Sequence, residues 1–211
     1  MIKFIKILCL TCVLSITAFA QTQTGEYKKN EFYAGYSNQQ IDGGNYRTAN
    51  GFEGAYVRNI HRYFGIKADV SGAYTNRQDF SITFNDPTNG TYTYRGSVRN
   101  QIYNFLGGVQ VKNNASNARF KPFAHALAGV AVTRAKNSAL TCTAGTCPSF
   151  ITNSTPITFK TKNFAVAVGG GLDIKINDKI DFRAIQVDYN PIFRDGFRQD
   201  NIRFGIGFVF K

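Results

Sequence analysis

From Glu31 to the last residue, apolar residues alternate with small or polar ones, and the connections between these alternating runs are long and short by turns. Period-two alternation marks strands with one apolar face, and no comparable stretch follows the 3.6-residue period of a helix. The candidate strands are Glu31–Asn38, Gly51–Asn59, Tyr63–Asn76, Tyr94–Lys112, Arg119–Arg134, Thr161–Ile176, Lys179–Asn190 and Asn201–Lys211. The short connections are Ile60–Arg62, Asn113–Ala118 and Asn177–Asp178. The long ones hold Asp42-Gly43-Gly44-Asn45, Asp86-Pro87-Thr88-Asn89-Gly90, the segment Ala135–Lys160, and Pro191–Asp200. A meander in water gains nothing from strict alternation of loop length. A sheet closed across a membrane does, because turns on one side stay tight while loops on the other are free to grow.

The strand faces point the same way. In the third strand Phe64, Ile66, Ala68, Val70, Gly72 and Tyr74 oppose Lys67, Asp69, Ser71 and Thr75. In the sixth, Phe164, Val166, Val168, Gly170, Leu172 and Ile174 oppose Ala165, Ala167, Gly169, Gly171 and Asp173. In the last, Ile202, Phe204, Ile206, Phe208 and Phe210 alternate with Asn201, Arg203, Gly205, Gly207 and Val209. A soluble sandwich or calyx also alternates, since one face packs a core. An apolar face set against a charged, glycine-rich one favours lipid outside and a narrow interior filled by small or interlocking polar side chains. With Phe 19, Tyr 11 and 20 Gly in 211 residues, the composition excludes a solvated coil. In lipid an open sheet edge leaves backbone groups unpaired, so the sheet must close.

Residues 1–20 read as an export signal. Lys3 and Lys6 are basic, Ile7 to Ile16 is apolar, Ala18-Phe19-Ala20 is a small-x-small cleavage site, and Gln21 is the expected mature start. The apolar run is shorter than the about 20 residues a spanning helix needs. The expected layout is a signal peptide over 1–20, a short periplasmic segment over 21–30 and one barrel domain over 31–211. Cleavage removes Cys9 and Cys12. It leaves Cys142 and Cys147, which in an exported protein read as a disulfide closing a tight loop at Gly145. The spacing and the absence of a nearby His argue against a metal or redox site.

At this point the chain resembles the small eight-stranded outer-membrane β-barrel family, the group containing the transmembrane domain of outer membrane protein A, over residues 27–211. The final strand, IRFGIGFVFK, is similar to that family's assembly signal, although Lys211 follows the terminal aromatic; DFRAIQVDYNP also resembles a pattern recurring in such barrels. The resemblance implies an all-β, eight-stranded antiparallel up-and-down transmembrane β-barrel with short periplasmic turns and four longer extracellular loops. It implies a bacterial outer-membrane location, and it implies that Phe204, Phe208 and Phe210 are read by the barrel assembly machinery during insertion. It carries no peptidoglycan-binding role, since no such domain follows.

If Ala184, Gln186 and Asp188 face inward, Asp188 sits across from Arg203, which predicts a lumen ion pair. Glu53 and Asp69 need basic partners, with Lys67, Arg99 and Arg183 as candidates; Arg183 is out of step with Asp188, so it belongs at the rim or after a bulge. These charges read as a filling that sets register rather than as a gate. The formal charge is +12. Arg47, Arg77, Arg95, Arg99, Lys136, Lys160, Lys162, Arg194 and Arg198 fall near the outer side, where they meet lipopolysaccharide or another anionic lipid or form a solvated rim. No nucleic-acid motif accompanies them. His61 falls in a short turn, and His125 has no Ser or Asp beside it in sequence, so no catalytic residue is nominated. Gly169-Gly170-Gly171 lies inside a strand with no Lys-Ser/Thr after it, and so is not a phosphate loop. No cofactor is implied. The expected role is structural or surface-interactive: membrane integrity, or adhesion through the loops. A narrow porin-like pore is the alternative, and a lipid-modifying barrel enzyme or a soluble calyx comes after it.

Overall fold

The computed structural model describes residues 27–42, 47–87 and 90–211, with no side-chain description at Arg47. The proposed export signal, most of the 21–30 segment, Gly43-Gly44-Asn45 and Thr88-Asn89 lie outside the described residues.

The strands are β1 (Asn30–Ile41), β2 (Arg47–Asn59), β3 (Phe64–Thr75), β4 (Gln78–Asp86), β5 (Gly90–Lys112), β6 (Phe120–Asn137), β7 (Thr141–Ala144), β8 (Ile157–Lys175), β9 (Ile180–Tyr189), β10 (Ile192–Arg194), β11 (Phe197–Gln199) and β12 (Asn201–Phe210). One helical turn, α1 (Ser149–Thr152), falls between β7 and β8. Among the described residues no helix is long and apolar enough to cross a membrane. All pairings are antiparallel. The order β8-β6-β5-β3-β2-β1-β12-β9 returns to β8 through the β8–β9 ladder, so eight strands form a closed ring. The seam joins β1 to β12 over ten residue pairs, from Phe32–Phe210 to Ile41–Asn201.

Each of the eight expected strands is present, most of them one to four residues longer at the long-loop end. The long connections differ more. β4 forms a hairpin with the outer part of β5, turning at Gly90 with φ 70°. β7 pairs with the other edge of the same part of β5, at Thr93–Arg95, and β10 and β11 form a small hairpin whose first strand continues along β8. β5 therefore projects well past the ring. Its outer half is partnered by β4 through pairs such as Thr83–Thr93 and by stacking of Phe84 on Tyr92 and Tyr94.

A second departure lies in β9. Gly205 pairs with Gln186 but Gly207 pairs with Arg183, and the ladder to β8 shifts at the same place. The extra residue is a β-bulge, which breaks the alternation locally. Ala184, expected to face inward, is half-exposed at the bulge, and Arg183 is turned fully inside.

The outer wall is apolar and bare of protein. Phe32, Ile66, Val70, Phe105, Val109, Val130, Val168, Ile206 and Phe208 all stand exposed on it. Aromatics pair towards both ends: Phe32 with Tyr56 and Phe182 with Phe208 near the short turns, Tyr74 with Tyr103 and Phe164 with Phe193 near the loops. A water-soluble monomer does not carry a continuous apolar belt of this kind, whereas a lipid-embedded cylinder does. Ile206 lies mid-strand in that belt. Ile206→Arg should lower stability in lipid vesicles by about 2–4 kcal/mol, measured by denaturant unfolding. Ile82→Arg, in the projecting hairpin, should change it by less than about 0.5 kcal/mol.

Candidate functional site

Inward-facing positions of the eight strands meet in the lumen and fill it in tiers. The central tier is built around Arg203. Its guanidinium donates to Asp188 Oδ2 at 2.7 and 2.9 Å, to Asp69 Oδ1 at 2.9 Å and to Ser71 Oγ at 2.9 Å, and lies 3.6 Å from Glu53. Lys67 Nζ lies 3.4 Å from Asp69, 3.8 Å from Glu53 and 3.4 Å from His125 Nδ1. The other ring nitrogen of His125 lies 2.9 Å from Asp188. Gln186 donates to Glu53 and to Asp188, at 2.7 and 2.8 Å. Gly169 sits directly across from Asp188, and a Cβ there would run into the carboxylate, so only glycine leaves room for this tier.

Towards the short turns a second tier follows. Arg183 donates to Asp173 at 2.8 Å and to Gln186 at 2.8 Å, which links the two tiers. Its guanidinium is held between the rings of Tyr33 and Phe123, 4.3 and 3.9 Å from their centroids. Lys112 bonds Glu31 at 2.5 Å and Asp173 at 3.3 Å. At the mouth on that side Lys121 and Lys211 share Asp181. Among the described residues the filling thus sets six carboxylates against six Lys or Arg, and the formal +12 of the chain resides elsewhere. Arg203, Lys67, Glu53 and Asp188 are each no more than 1% exposed, so no water-sized passage runs beside them.

Towards the long loops the lumen changes character. Several strands carry small or apolar inward residues on the loop side of the charged ones: Ala73 beyond Asp69, Ala49 beyond Glu53, Leu127 and Ala131 beyond His125, Ala167 and Ala165 beyond Asp173. With Ile41, Ile102, Leu106 and Ile192 they form an apolar cluster. Buried Gln39, Thr75, Asn190, Gln199 and Asn201 share this end of the lumen, so the filling there mixes small and apolar side chains with neutral polar ones, and the charged tiers lie below it.

Of the residues singled out in the sequence, Glu53, Lys67, Asp69, Asp188 and Arg203 meet in one tier, and Arg183 lies in the next. Arg99 does not join them: it is exposed on the outer face of β5, one residue out of step with inward-facing Asn100 and Ile102. His125, Asp173, Gln186, Glu31, Lys112, Lys121 and Asp181 are members that sequence reasoning did not assemble. All but Asp181, which like Arg183 precedes the β9 bulge, share the inward parity of their strands, and that was their available signal. Phe204, Phe208 and Phe210 stand on the outer face of β12, each 41–46% exposed. Cys142 and Cys147 form a disulfide in the projecting segment between β6 and β8.

The outer rim is cationic. Arg99 stands directly opposite Lys136, and Arg134 directly opposite Lys160, across the β5–β6 and β6–β8 ladders. Lys162 is two residues further along β8. Like charges directly opposite on a sheet repel, yet among the described residues none of the five has a carboxylate within ion-pair distance. Arg95 and Arg198 are exposed nearby, Arg194 is half-buried, and Arg77 is paired with Asp79. Asp200, in the turn before β12, accepts from Tyr189 and then from Arg198, which together hold its carboxyl below the usual range.

A ring with an oily belt and a charge-paired filling defines a membrane-embedded barrel, and comparison with known proteins gives it a family. Residues 7–210 match the outer membrane protein beta-barrel domain, and the chain belongs to that family. Solved structures with a similar fold include Ail, the attachment invasion locus protein of Yersinia pestis, at 15% identity over 86% of this chain and 97% of that one, with a TM-score of 0.46. Neisserial surface protein A matches at 10% identity over 88% and 99%, with a TM-score of 0.47. The N-terminal β-barrel domain of Pseudomonas aeruginosa OprF matches at 9% identity over 88% and 100%, with a TM-score of 0.41. A comparison with curated proteins finds no match. The protein is thus a bacterial outer-membrane β-barrel, with its short turns in the periplasm and its long loops outside.

Two outcomes follow from the lumen and its loops. Asp188→Ala removes two of the hydrogen bonds of Arg203 and the carboxylate beside His125 and should cost about 3–5 kcal/mol, read as a lower temperature at which the compact band of the unheated protein is lost on a gel. The Asp188→Leu/Arg203→Met pair should cost less than the sum of the two single changes. Reducing Cys142–Cys147 closes no strand of the ring, so it should leave that temperature unchanged while speeding protease cleavage between β7 and β8.

Proposed function

We propose that the protein is a structural and surface-contact barrel of the outer membrane that does not conduct and does not turn over a substrate. The observation that carries this reading is the segregation of charge. Inside, every strong charge of the filling has a partner. Outside, Arg99, Arg134, Lys136, Lys160 and Lys162 repel one another on the wall of β5, β6 and β8, just beyond the apolar belt. That is the level of the headgroups, where phosphates of lipopolysaccharide would relieve the repulsion and tie the barrel to its leaflet. The β4–β5 hairpin and the disulfide-braced segment rise above this level and offer the surface for adhesion or other contact. The filling supports a closed lumen against the narrow-pore alternative. A soluble calyx is disfavoured by the bare apolar belt. His125 is engaged on both ring nitrogens by Asp188 and Lys67, which supports a bracing role rather than general-base catalysis.

The same reading includes export through a cleaved leader at 1–20, a barrel domain over 31–211 and recognition of Phe204, Phe208 and Phe210 by the outer-membrane insertion machinery. Their exposed position on the seam strand leaves them available before the ring closes.

Purified barrel in nanodiscs containing lipopolysaccharide tests the central point. The Arg99→Gln/Arg134→Gln/Lys136→Gln/Lys160→Gln variant should retain at least about tenfold less lipopolysaccharide after detergent washing, since each lost charge-assisted contact is worth about 1.5–3 kcal/mol at most. Its unheated gel mobility should be unchanged. In planar bilayers the wild type should show no steady conductance; steady opening would favour the pore instead.

A further inference from the structure

The extracellular mouth of the barrel holds a cavity of about 650 Å³ above the apolar cluster. That is within the range of about 300–1,000 Å³ typical of small-molecule sites. Ile41 and Ile102 form its floor, and Phe159, on the inward face of β8, forms part of its wall. The β10–β11 hairpin contributes Arg194 and Phe197. Phe159 and Phe197 are 56% and 57% exposed, which is costly for aromatics facing water in a concave site.

Among the described residues three charged ones line the cavity: Asp42, Arg194 and Arg198. Arg198 is committed to Asp200 at 2.7 Å. Arg194 has no carboxylate partner among the described residues. Its guanidinium lies over the Phe197 ring, 5.5 Å from the centroid, and makes a long contact of 3.4 Å from Nη2 to Thr133 Oγ1, and its Nε is buried without a hydrogen-bond partner among the described residues. A partly desolvated guanidinium lacking a carboxylate is unfavourable unless something else supplies an oxyanion. Among the described residues two deficits thus share one cavity: a cation with no oxyanion and exposed aromatic side chains. Asp42 is the one carboxylate among the described lining residues, and it disfavours a second anionic group.

We propose that this mouth cavity binds a single-chain anionic amphiphile, with its oxyanion head on Arg194 and its apolar chain against Ile41, Ile102, Phe159 and Phe197. The site is separate from the cationic wall, because Phe159 and Thr161 face inward while Lys160 and Lys162 face out.

The test uses the full barrel in zwitterionic phosphatidylcholine nanodiscs, with NMR of the Arg194 Nε–Hε group and the Ile41 and Ile102 methyl groups. Decanoate, decyl phosphate, decanol and acetate are the probes. Decanoate and decyl phosphate should shift the Arg194 and Ile102 signals together and saturably, and whichever head binds more tightly separates a carboxylate source from a phosphate one. Decanol should bind about tenfold more weakly, as expected for loss of a charge-assisted hydrogen bond. Acetate should do nothing at the same concentration. Arg194→Gln should bring decanoate down to the level of decanol without altering decanol binding, and Arg194→Lys should restore part of the difference; unheated gel mobility reports that both variants fold. Unchanged decanoate affinity in Arg194→Gln, an acetate response equal to that of decanoate, or shifts confined to outward residues such as Ile206 would overturn the proposal.

Discussion

In hydrocarbon there is no water to satisfy a backbone N–H or C=O, and each one left open costs several kcal/mol. Every other feature of this protein follows from that constraint. Eight strands must form a ring, so β12 has to find β1 and β9 has to find β8. The strands are then apolar outside because lipid surrounds them. Their even number returns the C-terminal strand to the side where β1 begins. The outer loops are free because closure asks nothing of them, and the chain spends that freedom on the β4–β5 hairpin and the braced segment after β6.

A ring of eight is too narrow to hold bulk water comfortably and too wide to be left empty. Charges placed in it must therefore answer one another. Arg203 does this for three strands at once, reaching Asp188 on its neighbour β9 and Asp69 across the lumen on β3. The bulge in β9 is part of the same solution: it turns Arg183 inward to Asp173 and between two aromatic rings. Such cross-bracing does not by itself make a protein more stable than a dry core would be. It ties strands distant in sequence to one register, and the glycine at position 169 shows the backbone giving way so that the pairs can form.

What was legible in the sequence was whatever a local pattern records. The eight ring strands show in the alternation, and the side of the membrane each connection faces shows in its length. Asp188 and Arg203 stand on neighbouring strands either side of the last loop, so their juxtaposition depends only on local register. Contacts such as Lys67 with His125 or Arg203 with Asp69, 58 and 134 residues apart, depend on the stagger of the whole ring, which no local pattern encodes. Arg183 was hidden by a one-residue bulge. Arg99 was placed inside against the parity of its own strand, where Asn104, Gln110 and Lys112 occupy the inward positions. β4 and β7 leave no apolar rhythm to read because both of their faces are largely exposed, and β10 and β11, three residues each, are too short for an alternation to register.

The charge balance connects the inside of the barrel to its outside. A neutral filling lets the cylinder sit in lipid without a net buried charge, and Arg99, Arg134, Lys136, Lys160 and Lys162 gather where an anionic surface can meet them. Closure of the ring underlies both. Amide hydrogen exchange in zwitterionic nanodiscs, read along Phe32–Asn38 of β1 and Phe204–Phe210 of β12, tests it most directly. The account predicts protection at this seam equal to that of the β5–β6 ladder. Exchange at the seam as fast as in the exposed outer strand β4 would mean that the sheet is open and would contradict it.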